Sequence, residues 1–268
     1  MKSNAAKHLA PEDRLSDDDI FHNVNTFLFA GTDTTSIGLT WTLYLLAQNP
    51  DIQTHLRNEL LSIHPTVSIS KLTEEEIQTL SGSISNLSYF HNAIRESLRL
   101  VPPVHSLPRV ATKDDQVPTM YPVHDRHGNV MEGKRSVTVP KGTLVHVPIE
   151  GFNLDKELWG KDAWEFKFNL LSPFPFASDN HYFPSPDRWD TLPEKVQALP
   201  GLLPYILSFS GGPRVSLSTS CHQRQILTCI EACVGMQFSM TEMKTILYIL
   251  LTHFVFIPTE DKIQRVNM

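Results

Sequence analysis

FSGGPRVSLS sets Phe209, Gly212 and Arg214 in the order F-x-x-G-x-R. No cysteine follows closely, and Ser216 stands two positions beyond the arginine. The cysteine with the right surroundings comes later: Cys233-Val234-Gly235 opens ACVGMQFSMTEMK, whose apolar spacing is helical. A thiolate at a helix N-terminus is favoured by the helix dipole and serves as a metal ligand. Neither Cys221 nor Cys229 is followed by x-G and an amphipathic helix.

Two further groups have chemistry to offer. In AGTDTT, Ala30 to Thr35, Asp33 and Thr34 supply an acid and an alcohol that can relay protons. Glycine and short polar residues are poor helix formers, so this stretch is expected to interrupt its helix and leave room for a ligand; the bland alternative is a kink or a surface face. Glu96 and Arg99 form E-x-x-R, which puts both on one helix face. On a surface such a pair is worth about 0.2–0.5 kcal/mol. Ala93, Ile94, Leu98 and Leu100 leave little of this helix polar, so burial is expected, with Arg188 of PDRW as a third member.

These residues need elements to hold them. Ser16-Asp17-Asp18-Asp19 is an acidic helix start, and helical spacing runs over 20–48 until Asn49-Pro50 ends it. A second helix covers 51–62, and a third, carrying E-x-x-R, covers 84–100 before Val101-Pro102-Pro103. Short β-branched runs separated by turn signals make 104–150 a small β region. A closing helix covers 233–251, with HFVFI as a strand after it. The fold class is mainly α with a small β region.

The chain has 268 residues, 41% hydrophobic and 19% charged, with a net charge of −6, an ordinary globular composition. Its mildly acidic balance gives no electrostatic reason for a nucleic-acid partner. Three cysteines in one cluster are a poor disulfide framework. A zinc site from Cys221, His222, Cys229 and Cys233 would need C-H-x6-C-x3-C, which is not a usual ligand spacing. The remaining alternative for Cys233 is a small buried residue. The polar N-terminus resembles no signal peptide, and Ile246–Ile257 is too short to span a membrane. The chain reads as soluble.

AGTDTT, E-x-x-R, PDRW and F-x-x-G-x-R, in this order, resemble the cytochrome P-450 family of haem-thiolate monooxygenases, fungal members among them. ESLRLVPPVHSLPRVA and VPKGTLVHVPIEGFNLDKELWGKDAWEF extend the likeness along the chain, which corresponds to the C-terminal portion of that fold. The resemblance implies one partial domain over 1–268 and a thiolate-ligated haem (iron protoporphyrin) with Cys233 as axial ligand. It implies Arg109 and Arg214 on the propionates, Phe209 shielding the sulfur, and Gly235 leaving room for the porphyrin. Asp33 and Thr34 would deliver protons, and Glu96, Arg99 and Arg188 would form a charged lock behind the cysteine loop. Thr34, Glu96 and Cys233 are expected to line one shared concavity. The implied partners are an NADPH-dependent reductase and a small apolar organic substrate. A full-length member would sit at the endoplasmic reticulum membrane.

Joining Arg214 to Ala232 restores F-x-x-G-x-R-x-C-x-G, whereas VSLSTSCHQRQILTCIE between them resembles nothing in the family. FNLLSPFPFASDNHYFPS likewise separates WEFK from PDRW. Residues 215–231 and 168–185 therefore read as in-frame insertions. Val215-Ser216 can be encoded by a splice-donor sequence, and Glu231 can end in an acceptor AG, so translation of retained introns accounts for them. Both segments are expected to be extruded from the core. An inactive fragment with a disrupted haem loop is the competing outcome.

Overall fold

The computed structural model describes residues 15–119, 121–166, 188–189, 191–197, 205–210 and 233–260. The chain divides into two compact units, Met1–Phe90 with Gly235–Met268, and His91–Val234. The suspected insertions 168–185 and 215–231, and Arg214, lie outside the described residues.

The first unit is helical: α1 (Asp17–Gln48), α2 (Pro50–Ser62), α3 (Glu74–Asn86), the opening residues of α4 (Ser88–Leu100), and α8 (Met236–His253). Ser16 caps α1 by a reciprocal box with Asp19, and Thr73 does the same for α3 with Glu76. Asn49 ends α1, and Pro50 starts α2 where a missing N–H costs nothing. α8 packs against α1, α2 and α3. Leu46, Leu56, Leu60, Leu247 and Leu251 are fully buried there, each contributing about 1.5–3 kcal/mol.

Polar latches complete this unit. Arg57 Nη1 donates to Leu251 O and Phe254 O at the end of α8, where a cation is favoured. Lys244 Nζ reaches Ser85 O near the end of α3.

Three expectations are corrected here. α1 runs unbroken through Ala30–Thr35. The Thr32 and Thr34 hydroxyls return to Leu28 O and Ala30 O, so the polar side chains are satisfied within the helix instead of opening it. HFVFI is not a strand, although Phe254 is extended. Gln53 pairs with Phe256 as a neighbouring strand would, accepting its N–H at 2.8 Å and donating to its carbonyl at 2.9 Å. The expected helix over 84–100 is also two helices, α3 ending at Asn86 and α4 beginning at Ser88. Glu59 Oε2 accepts the Phe90 N–H and so serves the start of α4.

Among its described residues, the second unit holds the rest of α4, two small sheets and three short helices. β1 (Leu107–Val110) pairs antiparallel with β4 (Leu144–Val147), Leu107 opposite Val147. β2 (Asp115–Pro118) pairs with β3 (Ser136–Val139), Asp115 opposite Val139. Gly142, at φ 86°, makes the turn into β4, a conformation that a side chain would strain. Then come α5 (Ile149–Asn153), α6 (Lys156–Trp159), α7 (Glu194–Gln197) and a 3-10 turn, Leu207–Phe209. Ile94, Leu98, Ile149, Trp159, Ala163 and Ile206 form this unit's core.

Candidate functional site: a buried charge cluster and the cysteine turn

α4 carries Glu96 and Arg99 one turn apart, both with no exposed surface. Arg99 grips the carboxylate with two parallel bonds, Nε to Oε2 and Nη2 to Oε1, each 2.8 Å. This fork-to-fork geometry is the strongest form such a pair takes. Nη1 serves Asn153 O at 2.8 Å and Ala163 O at 2.6 Å, and Nη2 also donates to Glu165 O at 3.4 Å. Arg188 Nε lies 3.5 Å from Glu96 Oε1. Its Nη1 and Nη2 donate to Trp159 O and Asp162 O, at 3.2 and 3.0 Å. Burial pushes the Arg188 pKa below the ordinary guanidinium value, and the Glu96 charge opposes that shift.

Two residues absent from the sequence reading belong to this cluster. Trp189 donates its indole N–H to Glu96 Oε2 at 3.2 Å, and its ring lies 3.9 Å under the Arg95 guanidinium. Asn153, fully buried, bonds Arg99 through its carbonyl and the Leu207–Phe209 turn through its side chain. Trp189 was visible as the last letter of PDRW; nothing in the order of residues marks Asn153.

That turn leads to the cysteine. Phe209 is 9% exposed, and its carbonyl accepts the Cys233 N–H at 2.8 Å. Cys233 is exposed, which excludes the small buried residue considered above. It stands just ahead of Gly235, the N-cap of α8, so the helix begins at Met236 and not at the cysteine. Among the described residues no group of three or more His, Cys, Asp or Glu side chains could hold a metal ion.

The other candidates sit on other elements. Asp33 is exposed on α1, and the Thr34 hydroxyl is spent on Ala30 O. Thr35, one residue on, is buried and bonds Ser239 on α8 at 3.1 Å. Arg109 is exposed on β1, and its side chain's only hydrogen bond among the described residues goes to Pro108 O. An accessible thiol preceding a helix, and a guanidinium with no carboxylate beside it among the described residues, fit a thiolate-ligated haem with propionate side chains.

The cytochrome P450 family model matches residues 2–215. The chain belongs to the cytochrome P450 family. Cytochrome P450 monooxygenase 128 of Postia placenta is 35% identical over 100% of this chain and 41% of its own length. Cytochrome P450 monooxygenase 205 of the same fungus is 36% identical over 99% of the chain and 40% of its own. Ganoderic acid synthetase CYP5150L8 of Ganoderma lucidum is 35% identical, with 98% and 40% covered. The chain spans about two fifths of these P450 relatives and matches their C-terminal part. P450 membership implies haem as the cofactor. No helix among the described residues is long and apolar enough to cross a membrane.

Proposed function

We propose that this chain carries the haem-thiolate portion of a monooxygenase that inserts one oxygen atom from dioxygen into a small apolar organic substrate. Electrons come from an NADPH-dependent reductase. The observation that carries the reading is the Cys233 N–H on Phe209 O, which leaves the thiol accessible ahead of α8. Cys233 would hold the iron, Phe209 would flank the sulfur, and Gly235 would admit the ring. Arg109 and Arg214 would hold the propionates. Bound haem supplies the activation of dioxygen and the redox chemistry.

Asp33 and Thr34 are the proton carriers in this proposal. Thr34 can turn its hydroxyl from Ala30 O toward a proton acceptor, because a helical threonine has a second χ1 rotamer available. Glu96, Arg99 and Arg188 hold the ground beneath the Phe209 turn. A full-length relative anchored at the endoplasmic reticulum belongs to the same proposal.

A second reading, an inert chain with a divided haem loop, draws on the family match, which ends at residue 215 where the 215–231 segment begins. Haem titration separates the two. The expected result is weak haem uptake by this chain. A version lacking 168–185 and 215–231, joined to the N-terminal part of a relative, should show the red-shifted Soret band of thiolate-ligated ferrous haem with carbon monoxide. Cys233→Ser should abolish that band. No band in the joined version would refute the enzyme reading, and transcripts that retain both segments would refute the intron account.

A further inference from the structure

A route of hydrogen bonds and main chain joins the buried charge cluster to the cysteine, and Asn153 is its middle member. Its main chain faces one way, with its carbonyl on Arg99 Nη1. Its side chain faces the other. Oδ1 accepts the Leu207 N–H at 2.9 Å, and Nδ2 donates to Ser208 Oγ at 2.9 Å. The amide orientation is set by Leu207, whose N–H can only donate. Ser208 sends its own hydrogen to Leu98 O on α4, at 2.7 Å. One residue on, Phe209 O receives the Cys233 N–H.

The turn needs this support. Tyr205 at φ 70° and Ser210 at φ 57° bracket it, both in the left-handed region that disfavours side chains. Such conformations persist where the surroundings over-determine them. The Asn153 and Ser208 bonds are the polar part of that constraint, and a satisfied buried network specifies a single arrangement.

We propose that Asn153, acting with Ser208, is a positioning residue for Cys233: its amide holds the Leu207–Phe209 turn so that Phe209 O meets the Cys233 N–H. The proposal rests on the reading of Cys233 as the iron ligand only for its functional meaning, and its geometry stands without haem. Alanine at 153 keeps the carbonyl for Arg99 and removes only the two contacts to the turn. One substitution therefore removes the amide link between the charge cluster and the cysteine turn, while Ser208 still holds Leu98 O.

The test is amide hydrogen exchange at Cys233 in this chain, read by selective nitrogen-15 cysteine labelling with Cys221→Ser and Cys229→Ser leaving one signal. Asn153→Ala is expected to speed exchange of the Cys233 N–H about tenfold, the loss of a buried hydrogen-bonded brace. Tryptophan emission, to which Trp159 and Trp189 of the charge cluster contribute beside Trp41 and Trp164, should stay at the parent wavelength. Val196→Ala removes a buried side chain from the same unit and serves as a control for a general loss of stability. It should leave Cys233 exchange unchanged. Should Asn153→Ala fail to fold, Ser208→Ala carries the same expectation. Unchanged Cys233 exchange in the folded variant, or equal acceleration by Val196→Ala, overturns the proposal. In haem-loaded protein the thiolate band should also shrink in Asn153→Ala. If even the parent shows no band, the haem reading fails while the exchange measurement still decides the role of Asn153.

Discussion

Arg188 Nε stands 3.5 Å from the Oε1 of Glu96, the oxygen that Arg99 Nη2 holds at 2.8 Å. One buried carboxylate thus faces two buried guanidiniums. Such an arrangement survives out of water only if other groups take up the remaining donors. The carbonyls of Asn153, Ala163, Trp159 and Asp162 do this, with Asp162 Oδ2 a further 3.4 Å contact to Arg188. Four segments of the second unit converge on one ion cluster, which is why its members are not separately replaceable.

Glu96→Gln keeps the shape and removes the charge, leaving two guanidiniums buried together. It should cost about 3–5 kcal/mol, the usual penalty for breaking a buried pair from one side. Arg188→Met, which leaves the Glu96–Arg99 pair intact, should cost less. Urea unfolding followed by tryptophan emission measures both, and equal losses would show that Arg188 is as essential as the carboxylate.

Trp189→Phe retains a ring for the Arg95 guanidinium but has no N–H for Glu96. The expected loss is about 1.5–3 kcal/mol, the value of a hydrogen bond to a charged group. Trp189→Ala should lose more, because the cation–π contact and the ring's packing go with it. A phenylalanine variant as unstable as the alanine variant would mean that the indole N–H dominates.

Tyr121 donates its hydroxyl to Asp155 Oδ2 at 2.8 Å. Desolvation, reinforced by that bond and by the Asp155 and Glu157 charges, pushes its pKa up to about 12 from 10.0. The folded state therefore holds this proton more tightly than the unfolded chain does. The stabilisation is complete below pH 10.0 and lost as pH rises through about 12. Phenolate absorbance, taken as the difference from Tyr121→Phe, should show Tyr121 titrating late, and Asp155→Asn should bring it down.

Glu59 is raised above its ordinary carboxylate value of 4.5 by burial, with the Phe90 N–H working against the shift. A raised carboxyl gains the folded state protons, so its contribution to stability grows as pH falls through the folded pKa and is complete below 4.5. Glu59→Gln keeps an acceptor for Phe90 without the buried charge. It should raise the urea midpoint at neutral pH, with the gain shrinking on acidification. Glu59→Ala, which orphans the N–H, should lose about 1–3 kcal/mol at any pH.

Sequence alone determined what depends on neighbours along the chain. Ser16 announces its helix because an N-cap oxygen reaches an amide three residues ahead, and Asn49-Pro50 ends α1 because proline cannot continue it. E-x-x-R puts Glu96 and Arg99 on one face of α4 by helical geometry. Tertiary structure decided the rest. Whether AGTDTT breaks its helix depended on where the threonine hydroxyls turn, and both return to the helix itself. Phe254–Ile257 has strand-like residues, yet the mate of Phe256 is the Gln53 side chain, which no strand propensity encodes. Asn153 is one amide among many in sequence; its position between Arg99 and Leu207 comes from segments far apart in the chain folding against it. A buried polar atom must find a partner, and only the folded chain says which one.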